Sequence, residues 1–298
     1  MRITLIYNPQ AGAASFSLEG FVKGLEASGA EVLVHDIKED NYEHALDHSC
    51  DFIIIAGGDG TIEKIAEKAI NLDKNVPFAI LPCGNANNIA GSLDVDTAIR
   101  SIVESWQQQA FRNFTVGVIR RSYKNLTFFE SVGWGLFAEV LQEVKEEKKA
   151  AKQPAIANQD KVKYGLQKLI QAVQELQPAF YQILVDGKDF SGYYLWVEVM
   201  NSRSMGPQLQ LAPDAKHGDR YLDVVLIKEK ERDQLEKFLV THKGENHGDT
   251  FSPIKARHIS IRSNQVMHID DKLQPVEEGA EEWSEISLLP EPLRILNA

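Results

Sequence analysis

The feature that most constrains the fold is a strand that runs directly into a glycine-rich loop. Residues 52–56, Phe-Ile-Ile-Ile-Ala, are apolar at every position, as expected for a strand that helices cover on both faces of a parallel sheet. A helical pattern follows over residues 62–71. Between the two lie Gly57, Gly58, Asp59, Gly60 and Thr61. This order of strand, loop and helix predicts an α/β domain.

The first hundred residues repeat this alternation. Strands are predicted over residues 3–7, 31–37, 52–56 and 78–81. Helices are predicted from Phe16 to near Gly29, where a glycine commonly ends a helix, and over residues 42–50 and 62–71. Repeated β-α units predict a three-layer α/β domain, whose ligands bind beyond the carboxyl ends of the strands.

Beyond about residue 115, strands follow strands. They are predicted over residues 114–120, 127–132, 181–185, 193–200, 222–227, 258–263 and 265–269. One long helical region, residues 137–176, interrupts them and is broken at Pro154. This pattern predicts a second domain that is mostly antiparallel β.

The glycine-rich loop is suited to hold phosphate. Three glycines in four positions let backbone N–H groups approach an anion without interference from Cβ atoms. The following helix adds the positive end of its dipole. Asp59 can hold the loop or organise a cation, and the Thr61 hydroxyl is a donor at the helix start. The alternative is a glycine-rich turn that serves only to pack the strand tightly against the helix, but the strand-loop-helix context favours phosphate binding. The loop is neither a GxxxxGK[ST] nor a GxGxxG motif.

Two further polar turns follow predicted strands. Residues 81–90 contain three asparagines, Asn85, Asn87 and Asn88, which is unusual unless the turn or a ligand needs their hydrogen bonds. Residues 8–12 follow the first strand. The three loops are expected to meet at one edge of the sheet and form a site, although each alone is compatible with an ordinary turn.

Composition argues against several other functions. The net charge of −11 argues against a nucleic-acid-binding protein and against stable electrostatic attachment to anionic lipid. The two cysteines are too few for a disulfide framework, so a reducing cytoplasm is the expected compartment. His242 and His247 are interpreted as parts of a solvated turn rather than a metal site. The oligomeric state stays open, a homo-oligomer included.

On these motifs the chain resembles the diacylglycerol kinase catalytic family, which includes bacterial lipid kinases and sphingosine and ceramide kinases. Residues 57–61 match its GGDGT phosphate motif, and residues 81–88 resemble its LPxGTxND turn. The GGDGT motif is shared with NAD kinase and phosphofructokinase relatives, whereas a later signature narrows the resemblance to the lipid-kinase branch. The weaker matches are Tyr7-Asn8-Pro9 with Gly12, and residues 131–137. The later signature comprises Asn201, Gly206, residues 211–215 and residues 222–224.

The resemblance implies a lipid kinase. Family members transfer the γ-phosphate of ATP to a lipid hydroxyl, with ATP between the two domains and the lipid at a membrane surface. It implies a nucleotide-binding domain of residues 1–117 with 284–298, to which the last residues return, and an acceptor domain of residues 118–283. The residues that it places against ATP are Asn8, Gly57, Gly58, Asp59, Gly60, Thr61, Asn85 and Asn87.

The resemblance also implies Mg²⁺. One role is to neutralise charge on the nucleotide. Bacterial relatives also hold a structural magnesium beside an aspartate, and Asp219 falls at that place in this sequence. The carbonyl groups of Lys216 and Tyr221 are the expected further ligands. A solvated turn aspartate is the alternative interpretation of Asp219.

The turn expected to supply the catalytic base departs from the family pattern. Where the family has Asp-Gly-Glu, this chain has Asp270, Asp271 and Lys272. A lysine near its reference pKa of about 10.4 is protonated at neutral pH and cannot accept a proton. Asp270 and Asp271 are therefore the candidate bases. Asn88 and Asn85 also replace the aspartate and the threonine of LPxGTxND.

These departures leave two alternatives to an active lipid kinase. One is a degenerate family member that binds nucleotide or lipid without efficient transfer. The other is a kinase of a soluble acceptor, in the manner of NAD kinase.

Overall fold

The computed structural model describes residues 1–11, 17–38, 46, 49–72, 75–122, 124–151, 161–241, 250–274 and 282–297. The chain forms two compact units. The first comprises Met1–Phe114 with Glu291–Ala298, and the second comprises Thr115–Pro290. Among the described residues, every helix is too short or too polar to cross a bilayer.

The first unit is built on a mostly parallel sheet. Its strands are β1 (Arg2–Tyr7), β2 (Glu31–Asp36), β3 (Phe52–Gly57), β4 (Phe78–Pro82), β5 (Phe111–Phe114) and β19 (Leu293–Leu296). Across the described part of the sheet they lie in the order β2-β1-β3-β4-β19-β5. β19 is parallel to β4 and antiparallel to β5.

Helices cover this sheet. They are α1 (Leu18–Ala27), α2 (Asp59–Asn71), α3 (Asn88–Leu93) and α4 (Ile99–Gln107). Leu25 of α1 and Ile102 of α4 belong to one core cluster with Ile54 and Ala56 of β3. Every residue of β3 is buried, as predicted for a strand covered on both faces.

The second unit is a sandwich of two antiparallel sheets. The strands of the first sheet are β6 (Gly117–Arg121), β7 (Lys124–Phe128), β9 (Ala179–Val185), β10 (Lys188–Asp189), β11 (Gly192–Tyr194), β15 (Ile259–Arg262) and β18 (Trp283–Leu288). Those of the second sheet are β8 (Ser131–Gly135), β12 (Trp196–Met200), β13 (Leu222–Ile227), β14 (Ile254–Ala256), β16 (Met267–Ile269) and β17 (Lys272–Gln274). This sheet has the order β14-β13-β12-β8-β16-β17. The predicted fold class is confirmed for both domains.

The two faces of the second sheet contact different partners. Val197 and Val199 of β12 join a core cluster that contains residues of both sheets. Trp196 and Met200 of the same strand pack on the other side, against helices. These helices are α5 (Leu136–Ala151), α6 (Lys161–Glu175) and α7 (Arg232–Thr241).

Three predicted strands are wrong in extent, because the chain bends within each apolar run. Residues 114–120 divide between β5 and β6, residues 127–132 between β7 and β8, and residues 193–200 between β11 and β12. The first of these bends is the point where the chain leaves the sheet of the first unit and enters a sheet of the second.

Other differences concern helices and the end of the chain. Helix α7 was not predicted, because only Leu235, Phe238 and Leu239 are buried among its charged residues. Most of the helix predicted over residues 42–50, the break at Pro154 and both His242 and His247 lie outside the described residues. At the end of the chain, β18 pairs with β6 and β15, and only β19 joins the first sheet.

Arg232 joins two helices of the second unit. Its guanidinium donates hydrogen bonds to the carbonyl groups of Val173 and Leu176, at the end of α6. It also pairs with the Glu229 carboxylate at 2.7 Å, and the Arg232 side chain is only 14% exposed. One planar guanidinium thus contacts three acceptors at once.

We expect Arg232→Lys to lower the free energy of unfolding by about 1–2 kcal/mol, because one ammonium cannot reach all three acceptors. Arg100→Lys is the matched control, since Arg100 also pairs with a glutamate but its side chain is 87% exposed. That change should leave the free energy of unfolding close to that of the parent. Urea unfolding measures both variants, and equal losses would contradict the prediction.

Candidate functional site

The glycine-rich loop lies where β3 ends and α2 begins. α2 begins at Asp59, earlier than the predicted residue 62, so Asp59, Gly60 and Thr61 form its first turn. The N–H groups of Thr61 and Ile62 bond to the Gly58 carbonyl at 2.9 and 3.2 Å. N–H groups at the start of a helix lack partners within it, and the helix dipole adds positive charge there. This end of α2 is therefore suited to an anion.

The backbone of this loop touches the backbone of the turn after β4. A Cβ atom added at Gly58 would lie 3.0 Å from Gly84 Cα, and one added at Gly84 would lie 2.5 Å from Gly58 Cα. Next to this contact, the Cys83 N–H donates to the Gly57 carbonyl at 2.8 Å. Because larger residues do not fit this approach, the two glycines let the two loops form one surface.

Asp59 ties the same two loops together. Its carboxylate accepts a hydrogen bond at 3.0 Å from the Ile89 N–H, in the first turn of α3. Burial raises the pKa of Asp59, the N–H groups of Ile89 and Asn88 act to lower it, and the neighbouring Glu63 carboxylate again raises it. The Asp59 side chain therefore clamps α2 to α3.

Asn8 brings the third polar loop to this surface. Its side-chain amide donates to Thr61 Oγ1 at 3.1 Å, and its Oδ1 accepts from the Gln10 N–H at 3.0 Å. Since Thr61 Oγ1 accepts this bond, its own hydroxyl hydrogen can be donated to an anion. Gly12, at the end of the predicted loop, lies outside the described residues.

Asn85 and Asn87, the two candidate ligands in the turn after β4, differ in what they contact. Asn87 has a left-handed backbone, with φ of 52°, and its side chain bonds to both the N–H and the carbonyl of Gly84, at 2.8 and 3.0 Å. Asn87 therefore shapes its own turn. Asn85 is exposed in the same turn.

Asp270 is buried below the turn between β16 and β17. Its carboxylate accepts hydrogen bonds from the N–H groups of Phe129, Glu130 and Ser131 at 2.8 to 3.2 Å, and the residue is 4% exposed. Its own N–H donates to the Ser131 carbonyl at 2.8 Å. A carboxylate that already accepts from three donors is poorly suited to take a proton from a substrate.

Asp271 and Lys272 differ from Asp270 in exposure. Both are exposed, with Asp271 in the turn and Lys272 at the first position of β17. Of the two predicted bases, Asp271 is therefore the one that a solvent-borne substrate can reach.

Asp219 pairs with a lysine. Its Oδ2 lies 2.9 Å from Lys255 Nζ, which also lies 3.4 Å from Asp223 Oδ2, and its Oδ1 accepts from the Tyr221 N–H at 3.0 Å. Burial acts to lower the pKa of Lys255, but the two aspartates raise it above its usual range, so the ammonium stays charged.

These residues do not fit the magnesium ion that the resemblance implies at Asp219. A divalent cation there would be repelled by the Lys255 ammonium, which already contacts the carboxylate. Within the described residues, there is also no group of three His, Cys, Asp or Glu side chains that could hold a metal ion.

Two buried polar residues of the second unit were not predicted. Glu198 and His268 are both 0% exposed, and His268 Nε2 lies 3.1 Å from Glu198 Oε2. Each stands between two apolar residues of a strand. That interruption of an apolar run is the sequence signal that could have identified them.

Comparisons with known proteins agree with this architecture. The family model of the diacylglycerol kinase catalytic domain matches residues 2–119. The model of the YegS C-terminal NAD kinase beta sandwich-like domain matches residues 138–297. The chain belongs to the diacylglycerol kinase family. The predicted family is thus confirmed.

Individual members of the family are distant in sequence. The chain is 27% identical to a diacylglycerol kinase of Bacillus subtilis (strain 168) over 244 residues, which cover 76% of this chain and 74% of that protein. It is 22% identical to a diacylglycerol kinase of Staphylococcus aureus (strain bovine RF122 / ET3-1) over 281 residues, covering 90% and 85%. A crystal structure of a diacylglycerol kinase from Bacillus anthracis str. Sterne has the same fold, with a TM-score of 0.66, 18% identity and coverage of 99% and 96%.

We expect Gly84→Ala to separate the two loops, because the added methyl group would meet the Gly58 backbone. The free energy of unfolding should fall by about 1–3 kcal/mol. Cys83, which is buried, should react faster with a thiol reagent. Both are measured in a Cys50→Ser background by urea unfolding and by labelling rate.

Gly91→Ala is the control for this change. Gly91 lies in α3, and a Cβ atom added there has no atom within 4 Å. Its labelling rate should match that of the parent. If Gly84→Ala labels no faster than Gly91→Ala, the close contact between the loops is not required.

Proposed function

We propose that this chain is an ATP-dependent kinase that transfers the γ-phosphate to a lipid hydroxyl. The observation that carries this proposal is the backbone contact between Gly58 and Gly84, which joins the polar loops into one surface at the start of α2. Such a surface is suited to a polyphosphate. The relatives are diacylglycerol kinases, which supports a lipid as the acceptor.

For ATP, we assign binding and supporting roles to different residues. The backbone of Gly58 and Gly60 and the Thr61 hydroxyl would donate to phosphate oxygens, and the exposed Asn85 amide would add a further donor. The residues that would hold these donors in place are Asn8, Gly57, Asp59 and Asn87. Mg²⁺ would enter with the nucleotide as part of the substrate and neutralise its charge.

For the acceptor, we assign the proton to Asp271. The lipid hydroxyl oxygen would attack the γ-phosphorus, the bond to the β–γ bridging oxygen would break, and ADP would leave. The hydroxyl proton would pass to the exposed Asp271 carboxylate, while the buried Asp270 carboxylate holds the turn. The reaction would take place at the cytoplasmic surface of a membrane, where the lipid is.

One observation favours a second candidate, a family member that binds nucleotide without efficient transfer. The Asp270 carboxylate is committed to backbone N–H groups, and a lysine stands where the family has its glutamate. Both features concern the acceptor side. In the first unit, Asn85 and Asn88 also depart from the family's LPxGTxND turn, but the Asn85 amide can still donate to phosphate. Nucleotide binding and transfer must therefore be measured separately.

A transfer assay separates the candidates. The purified chain is incubated with γ-labelled ATP, Mg²⁺ and mixed micelles that contain diacylglycerol or a sphingoid base, or with NAD. Label in a lipid product supports the proposal. Label in NAD alone supports a soluble acceptor. ATP binding without transfer to any acceptor supports the non-catalytic member and rejects the kinase.

We expect Gly60→Ala to weaken ATP binding without loss of stability. A Cβ atom added at Gly60 meets no atom within 4 Å apart from its chain neighbours and the backbone of its own helix, and we assign this open space to phosphate. Alanine in a helix also favours folding by roughly 1 kcal/mol over glycine. Calorimetric titration with ATP and urea unfolding measure the two effects, with Gly91→Ala as the control. An unchanged ATP affinity would place the phosphates elsewhere.

We expect Asp271→Asn and Asp270→Asn to fail in different ways. Asp271→Asn should lower the transfer rate by about 10²–10⁴-fold, because the proton acceptor is lost, and should change the free energy of unfolding less than Asp270→Asn, because Asp271 is exposed. Asp270→Asn should lower the free energy of unfolding by about 1–3 kcal/mol, because an amide N–H₂ would face backbone donors. Transfer kinetics and urea unfolding of both variants test this assignment, which is wrong if Asp271→Asn retains full activity.

A further inference from the structure

A buried hydrogen-bond network lies directly below the turn of residues 270–272. His268 Nδ1 lies 2.5 Å from the Asp270 carbonyl oxygen, and His268 Nε2 lies 3.1 Å from Glu198 Oε2. Trp196 Nε1 donates to the same Glu198 oxygen at 2.7 Å. This network therefore connects the turn to β12 through the side chains of His268 and Glu198, which are both 0% exposed.

Counting hydrogens shows that this network holds two protons, whichever of His268 Nε2 and Glu198 Oε2 carries the second. A carbonyl oxygen can only accept, so His268 Nδ1 must carry a hydrogen. A second proton must then lie between His268 Nε2 and Glu198 Oε2, since two bare lone pairs would repel each other. A proton on the other carboxylate oxygen, Glu198 Oε1, would not bridge the two side chains, because Oε1 has no hydrogen-bond partner in the part of the chain that the structure describes.

We propose that His268 and Glu198 form an imidazolium–carboxylate pair that positions the turn of residues 270–272. Its relevance to catalysis rests on the proposed function, because the turn carries Asp271. Within this pair both ring nitrogens donate, one to the Asp270 carbonyl and one to Glu198. The pair as a whole is neutral, which suits its buried place.

The backbone between the two strands is adapted to the pair. β8 lies between β12 and β16, with Gly133 opposite both Glu198 and His268. The Glu198 carboxylate passes over Gly133, and a Cβ atom added there would overlap it. A glycine at this position therefore lets two side chains on strands that are not neighbours meet.

The surroundings of His268 favour its charged form. Burial acts to lower the pKa of His268, but Glu198, the Asp270 carbonyl and Asp271 raise it above its usual range. Phe137 of α5 contacts the ring edge-on, at 4.8 Å between centroids. Charged residues adjoin His268 on the neighbouring strands and turns, namely Glu130, Glu198, Asp270, Asp271 and Lys272. The described charged side chains of α5 are Glu139, Glu143, Lys145, Glu146, Glu147 and Lys149.

The direction of the pH dependence follows from the raised pKa. The pair stabilises the fold fully below the unfolded-state value, about 6.5 for histidine, and this contribution is lost as the pH rises through the raised pKa. Glu198→Gln keeps a hydrogen bond to a neutral imidazole but removes the charge. The difference in melting temperature between the parent and Glu198→Gln should therefore shrink as the pH rises above about 6.5. A constant difference would contradict the pair.

Nitrogen NMR of the imidazole rings tests the pair without any activity. At neutral pH both ring nitrogens of His268 should give the signals of protonated nitrogens, and in Glu198→Gln one should become unprotonated. Trp196→Phe is the matched control, since it removes the other donor to the same oxygen and should leave His268 doubly protonated. A neutral His268 in the parent would overturn the proposal.

Kinetics test the positioning role. Glu198→Ala should lower the kcat of transfer on the order of tenfold or more, because the turn loses its support, while the KM for ATP stays unchanged. An unchanged kcat would overturn the positioning role. If the parent itself transfers no phosphate, the proposed function fails, and the NMR signals still decide whether the pair exists.

Discussion

The site in the first unit depends on a contact between two backbones. Gly58 and Gly84 belong to loops that follow neighbouring strands, and neither loop has a side chain at the point of contact. The Asp59 carboxylate closes the same junction from the other side by accepting from the Ile89 N–H. Side chains such as that of Asn8 can then contact the loop from a third strand. Contacts within the protein therefore define this surface, and a surface held by such contacts loses less entropy on binding a ligand.

Much of this unit could be predicted from the sequence, because its signals are local. A run of five apolar residues and a following glycine loop identify β3 and its exit toward α2 without any knowledge of the rest of the chain. The separate roles of the asparagines could not be predicted. Asn87 and Asn85 lie in one turn with the same chemistry, and only the backbone conformation shows that Asn87 bonds to its own turn.

The second unit was less predictable, because its polar side chains are satisfied by distant partners. The Asp270 carboxylate bonds to N–H groups about 140 residues earlier in the chain, and nothing near Asp270 in the sequence indicates this. Resemblance alone assigned that carboxylate to catalysis. Its three backbone donors instead favour a structural role, similar to the one proposed for His268 of the adjoining strand β16. The boundaries of three strands were predicted wrongly for a related reason, since an apolar run does not show where the chain passes from one strand to the next.

Two lysines lie beside residues to which the family resemblance assigns roles in the second unit. Lys255 contacts Asp219 and Asp223, at the place where the resemblance implies a structural magnesium. Lys272 stands where a glutamate is expected. At Asp219 one positive charge of the chain itself already pairs with the carboxylate that the resemblance assigns to a divalent cation. In the proposed reaction, Mg²⁺ accompanies the nucleotide, and the acceptor side is proposed to rely on Asp271 and on the residues that hold its turn.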